Sequence, residues 1–140
     1  MSNIIYPTNT GAAVKLVRPL AFNKYTTSSA FTVCGAALFD PASNFVNLSD
    51  VTTLVNTVKL EILGFVENLT DTLQVQLYNF SDSSVIHTAA ITSTTTDFFL
   101  SGALTFPSSQ KMYELRIRNS SGTGAVTLLS ANLIIDYSFV

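Results

Sequence analysis

Residues 54–66 read LVNTVKLEILGFV, and the alternation at the centre of this segment decides the fold class. Val58, Leu60 and Ile62 recur at every second position, with Lys59 and Glu61 between them. Successive side chains of a strand point to opposite faces, so the pattern predicts a strand with one face buried and the other in water. The rhythm returns at 73–80, LQVQLYNF, where Leu73, Val75 and Leu77 stand opposite Gln74, Gln76 and Tyr78. It returns again at 112–119, MYELRIRN, with Tyr113, Leu115 and Ile117 inward and Glu114, Arg116 and Arg118 outward. Turn residues at Glu67-Asn68 and Thr70-Asp71 separate the first two segments, which together read as a hairpin.

Outward from these segments the chain keeps the same pace. VKLVRPLAF (14–22) is strand-like, but Pro19 cannot donate to a central ladder and points to an edge or a bend. AFTVCGAALF (30–39) follows, with Gly35, Ala36 and Ala37 small enough for close packing or a bulge. Residues 40–53 are turn-rich and read as a long connection with room for one short strand near Phe45 to Leu48. VIHTAAIT (85–92), DFFLSGALTF (97–106) and the closing AVTLLSANLIIDYSFV (125–140) complete about eight strands at a spacing of roughly 8–12 residues. No long stripe at helical period occurs. The expected fold is all-β, an antiparallel sandwich of the jelly-roll or immunoglobulin-like kind. With no tryptophan and a single cysteine, the jelly roll is preferred. Residues 1–12 (MSNIIYPTNTGA) read as an N-terminal arm, extended or flexible, and 13–140 as one β-sandwich domain.

Composition narrows the function classes. Only 11% of the 140 residues are charged, against roughly 25% in a typical globular protein. Sixteen serines and eighteen threonines solvate the surface instead. Such a surface costs less to desolvate than a charged one, which points to a homo-oligomer. The net charge is −2 and the seven Lys and Arg are scattered, so no footprint for nucleic acid forms. The N-terminus shows no signal peptide, and no apolar run reaches the length of a membrane span.

Little in the chain can assemble a catalytic site. His87 and Cys34 are the only histidine and the only cysteine, so a Cys/His dyad is the one nucleophilic pair available. The structural reading is preferred: His87 as an outward or partly buried strand residue hydrogen-bonded to a neighbour, and Cys34 as a buried small apolar residue. Nine carboxylates fall mostly in turns or on outward strand positions; Asp40 and Asp50 flank the long loop without a calcium-loop series. Gly122 and Gly124 in SSGTG lack the lysine and following helix of a phosphate loop, and read as a hairpin turn. Four Asn-x-Ser/Thr sequons, at Asn47, Asn68, Asn79 and Asn119, are close to chance in a chain this rich in Ser and Thr. No catalytic residue, metal or cofactor is expected, and the chain is not expected to be an enzyme.

The aromatic residues carry more information. Phe98-Phe99 and Phe139-Val140 place adjacent apolar side chains on opposite faces of a strand, so one of each pair must leave the core. With Ile4, Ile5 and Tyr6 of the arm, these residues are the interface candidates. Tyr25 and Tyr78 are candidate ligand contacts if the protein binds a glycan.

The stretch YELRIRNSSGTGAVTLLSANLIIDY (113–137) resembles the last hairpin of small jelly-roll virion proteins of bacteriophages, the capsid decoration (cement) and head-fibre proteins. That resemblance covers Tyr113 to Tyr137 in detail and implies a non-enzymatic virion protein, made in the host cytoplasm and placed on the capsid surface. It would be a homotrimer that stabilises the shell by bridging subunits of the major capsid protein or another virion protein. The alternative is a carbohydrate- or receptor-binding sandwich such as a fibre head.

Overall fold

The computed structural model describes residues 13–39 and 54–139. Eight strands run in chain order among the described residues: β1 (Ala13–Thr26), β2 (Thr32–Phe39), β3 (Leu54–Val66), β4 (Leu73–Asn79), β5 (Ser84–Ile91), β6 (Asp97–Leu100), β7 (Lys111–Asn119) and β8 (Val126–Phe139). They form two four-stranded sheets, β1-β8-β3-β6 and β2-β7-β4-β5, antiparallel throughout.

The pairing has a simple rule. β1 pairs with β8, β2 with β7, β3 with β6 and β4 with β5, as if one long hairpin had been folded at the β4–β5 turn. Rolling that ribbon adds the two seams β3–β8 and β4–β7, which close each sheet. This is a jelly roll.

The rule also explains where the sequence misleads. Residues 54–66 and 73–79 do not form a hairpin, because β3 and β4 lie in opposite sheets, and the stretch 113–137 is likewise no hairpin. SSGTG carries the chain across the sandwich from β7 to β8. Alternation fixes which side chains face inward, but inward looks the same whether the next strand is beside or across. Among consecutive strands of the described residues, only β4 and β5 form a hairpin within one sheet.

The inner faces match the alternation closely. Val58, Leu60, Ile62 and Val66 of β3 and Leu128, Leu133 and Ile135 of β8 meet Leu73, Val75 and Leu77 of β4 and Tyr113, Leu115 and Ile117 of β7, all buried. Burying such side chains stabilises by about 1.5–3 kcal/mol each, opposed by the entropy lost when the chain is ordered.

The edges are irregular. β1 is an edge strand, and its register slips between Pro19 and Ala21, where proline offers no ladder donor. β2 is bulged between Val33 and Gly35, and a Cβ at Gly35 would collide with the backbone oxygen of Leu20, so this is where the two sheet edges close on one another. β6 is shorter than the ten residues the pattern suggests. After Leu100 the regular ladder ends but the chain stays bonded to β3: Ser101 N–H donates to Leu60 O (2.9 Å) and Leu104 N–H to Val58 O (2.8 Å), while Ser101 Oγ accepts from Leu60 N–H (2.8 Å) and donates to Gly102 O (2.7 Å). Phe106 then turns inward and packs edge-on to Phe39 and Tyr113, at centroid distances of 5.1 and 5.4 Å. This aromatic cluster plugs one end of the interior.

Candidate functional site

At the end where β3–β4 and β7–β8 cross, two turns are locked by a buried pair, Asp71 and Asn119. Asp71 Oδ1 accepts from Asn119 Nδ2 (2.8 Å) and Gly124 N–H (3.0 Å), and Oδ2 accepts from the Asn68 backbone (2.9 Å) and side chain (3.1 Å). Asn119 Oδ1 in turn accepts from the N–H groups of Thr72, Ser121 and Gly122. Every polar atom of this pair is occupied, so it is a structural clasp and offers no open coordination. Hydrogen bonds to the ionised form, that from Asn119 first, hold the Asp71 carboxyl below the ordinary aspartate value of 3.8. A Cβ on Gly122 or Gly124 would fall on the Asp71 carboxylate, so space itself demands glycine there. Neither Asn119 nor Asn79 is accessible as a glycan acceptor, since both are fully buried.

The potential nucleophilic pair does not meet. Cys34 lies on β2 and His87 on β5, the opposite edges of the second sheet, about three strand spacings or 14 Å apart. Burial pushes the Cys34 thiol up to about 11, and its Sγ donates to Leu115 O (3.4 Å). Such a thiol is a poor nucleophile. His87 stacks on Phe99 at 6.0 Å with a buried, unpartnered Nε2. Among the described residues no group of three or more His, Cys, Asp or Glu side chains is placed to hold a metal ion, and no helix is long and apolar enough to cross a membrane.

The features that remain are the two outer sheet faces, and they differ. On the second sheet, Arg116 lies over the Tyr78 ring at 3.5 Å and pairs with Glu114 at 3.0 Å. Arg118 lies over Phe31 at 4.3 Å and donates to Gln74 Oε1 (2.6 Å). One face of Tyr78 is therefore already taken. Val33, Leu38 and Val85 on the same face stay about half exposed.

The outer face of the first sheet is mixed: its two middle strands present Lys59, Glu61, Thr127, Ser130 and Asn132 beside Leu63, Phe65 and Ile134, and its exposed apolar residues lie on the edge strands β1 and β6. Cross-strand register sets Tyr25, Thr127 and Phe65 in one row, and Phe22, Ser130, Leu63 and Phe98 in the next. Leu100 follows beyond Glu61, and Val17 beside Ile134. Phe98 is 54% exposed, Phe22 57%, Val17 55% and Tyr25 74%. Phe99 points the other way and packs against the core, so the Phe98-Phe99 pair divides as the alternation requires. The sequence pattern does not single out Phe22, Val17, Leu63 or Leu100. Pro19 and the register slip beside it hide the parity of β1, and Leu100 ends a strand that reads as longer than it is. Ile4, Ile5, Tyr6, Asp40, Asp50, the 1–12 arm, the 40–53 loop and Val140 lie outside the described residues, as does the side chain of Phe139.

Eight antiparallel strands nested in this way define a jelly-roll sandwich, a fold found in solved structures of virus particles. The chain is similar to the infectious bursal disease virus Gt strain structure (TM-score 0.52, 12% identity) over 91% of its own length and 38% of that chain. It is similar to the D431N mutant VP2 protein of the same virus, from T=1 particles (TM-score 0.52, 14% identity), and to its VP2 subviral particle (TM-score 0.50, 12% identity). In both it covers 91% of itself and 32% of the other chain. It thus spans about a third of the length of those viral chains. At such identity the likeness is one of fold. No protein-family model matches the sequence, and no curated protein matches it.

Proposed function

We propose that this chain is a non-enzymatic virion structural protein, a capsid decoration or cement subunit that acts as a homotrimer and bridges subunits of the shell. The observation that carries the reading is the set of exposed apolar residues on the outer face of the first sheet, Val17, Phe22, Tyr25, Phe98 and Leu100, on a fold similar to that of an infectious bursal disease virus chain. Large exposed apolar patches are uncommon on monomeric proteins and mark contact surfaces. A cement protein works by buried area and avidity, and needs neither nucleophile nor metal. The partner is the major capsid protein or another virion protein, and the location is the capsid surface.

The test uses shells of the encoding virus that lack this protein. Added protein is expected to co-sediment with the shells and raise their melting temperature. Free protein left in the supernatant at micromolar concentration, with shell melting unchanged, would overturn the reading. A glycan-binding role has one supporting feature, the exposed Tyr25. It predicts that Tyr25→Ala abolishes binding on a glycan array, and a blank array with the wild-type protein removes it.

A further inference from the structure

The geometry points to a cross-link that the chain makes within itself: an amide bond between Lys111 Nζ and Asn79 Cγ, with the Asp82 carboxylate moving the protons. The inference goes beyond the virion reading and does not depend on it.

Lys111 sits on the core side of its strand. Alternation along β7 puts it with Tyr113, Leu115 and Ile117, and its partner across the ladder is Phe39, which is fully buried. Asn79, also fully buried, stands opposite Tyr113, so Lys111 and Asn79 are diagonal neighbours on the inner face of the second sheet, within reach of a long side chain. A lysine ordinarily carries its ammonium out into water, but here the side chain is only 24% exposed.

Asp82, in the turn between β4 and β5, brings the two groups together. Its Oδ1 accepts from Lys111 Nζ (3.0 Å) and its Oδ2 from Asn79 Nδ2 (2.9 Å), so one carboxylate spans the amine and the amide nitrogen. Asp82 N–H donates to Asn79 Oδ1 (3.0 Å). The turn is tied to the start of β7 by Phe80 N–H on Met112 O (2.9 Å) and by Met112 N–H on Ser81 Oγ (2.9 Å). Nucleophile, proton carrier and electrophile are thus held in place before any reaction.

The other end of the sandwich shows what a purely structural Asp–Asn pair looks like. Asn119 Oδ1 takes three backbone N–H groups, its Nδ2 is shared between Asp71 and Gly124 O, and no amine approaches. Among the described residues the Asn79 side chain has Asp82 alone as its hydrogen-bond partner, and that partner also holds a lysine. A structural clasp has no need of the amine.

The step balances without an oxidant, a reductant or a second reactant. Lys111 Nζ gives a proton to Asp82 and attacks Asn79 Cγ as the free amine. The charge that forms on Oδ1 meets the hydrogen bond from Asp82 N–H. The bond from Cγ to Nδ2 then breaks. Two protons in all pass from Nζ through Asp82 to the departing nitrogen, which leaves as ammonium, and one amide bond has replaced another. Lys111 first, then Asn79, holds the Asp82 carboxyl below the ordinary aspartate value of 3.8, so it begins as the carboxylate that takes the first proton. Burial of Asn79 keeps water from competing with the amine. The bond closes residues 79–111 into a loop that carries β5 and β6, one edge strand from each sheet, and constrains the unfolded chain as a disulfide does.

Mass spectrometry of the intact full chain, purified and left at neutral pH, tests this. The wild type is expected below the mass of its sequence by one ammonia, about 17 Da. Its tryptic map should lack cleavage after Lys111 and contain a branched peptide joining the segments that hold Asn79 and Lys111. Lys111→Arg, which keeps a cation beside Asp82, and Asp82→Ala are expected at their full sequence masses, with circular dichroism checking that each folds. A wild-type chain at its full sequence mass, or a tryptic peptide ending at Lys111, overturns the inference, and neither reading needs a variant to fold. An ammonia loss that persists in Lys111→Arg also overturns it, since an asparagine that cyclises on its own backbone loses the same mass. Asp82→Ala that cross-links as fully as the wild type removes the role given to Asp82.

Discussion

The two sheets bury the same kind of inner face and present different outer ones. Inward, Leu60, Ile62 and Leu133 of the first sheet are matched by Val75, Leu77 and Leu115 of the second, all of them buried. Outward, the second sheet pairs its arginines with Tyr78, Phe31, Glu114 and Gln74 and exposes the aliphatic Val33 and Val85, while the first exposes Val17 and the aromatic Phe22, Tyr25 and Phe98 on its edge strands. Burial of the inner faces makes the fold, and the outer positions decide what the fold meets.

Substitutions on each face put that contrast at risk. The inner faces should respond alike: Leu133→Ala in the first sheet and Leu115→Ala in the second are each expected to cost about 3 kcal/mol in denaturant unfolding, since both leave a cavity in the same core. A loss confined to one sheet would mean that the two do not share a core. Next in size is the clasp. Asn119→Ala removes the acceptor of three backbone N–H groups and a donor to Asp71, for an expected loss of about 2 kcal/mol. On the outer faces the effects on the subunit itself are small. Arg116→Ala should cost about 0.5–1 kcal/mol through Tyr78 and Glu114, and Phe98→Ser less than about 0.5 kcal/mol when measured under dissociating conditions.

The clasp also predicts a pH dependence. The folded-state pKa of Asp71 is depressed, so its contribution is fully present above the ordinary aspartate value of 3.8 and is lost as pH falls through the lower folded value. Asp82, held down by Lys111 and Asn79, acts in the same direction. Stability should therefore fall below about pH 4, and Asp71→Asn should flatten that fall in thermal melts. An unchanged acid slope in the variant would remove Asp71 as its source.

Much of the sandwich is legible in the sequence because period-2 alternation survives in β3, β4 and β7, where both neighbours are strands. Pro19 marks an edge, and the small residues near Gly35 mark a close approach, each for a steric reason visible in one residue. The connections are not legible. Whether residues 67–72 turn back within a sheet or cross to the other depends on partners far along the chain, and β8 supplies the partner that draws β3 away from β4. The outer patch is half legible: Phe98 stands out beside Phe99, but Phe22 needs the β1 register to be placed on the same row.

Hydroxyl-radical footprinting of the unmodified protein, alone and with shells of the encoding virus that lack it, reads the contrast between the two faces without any substitution. Phe22 and Phe98 should lose reactivity when shells are added, while Val33 and Val85 keep theirs. Equal labelling of both faces with and without shells, or protection of the second face alone, would refute it.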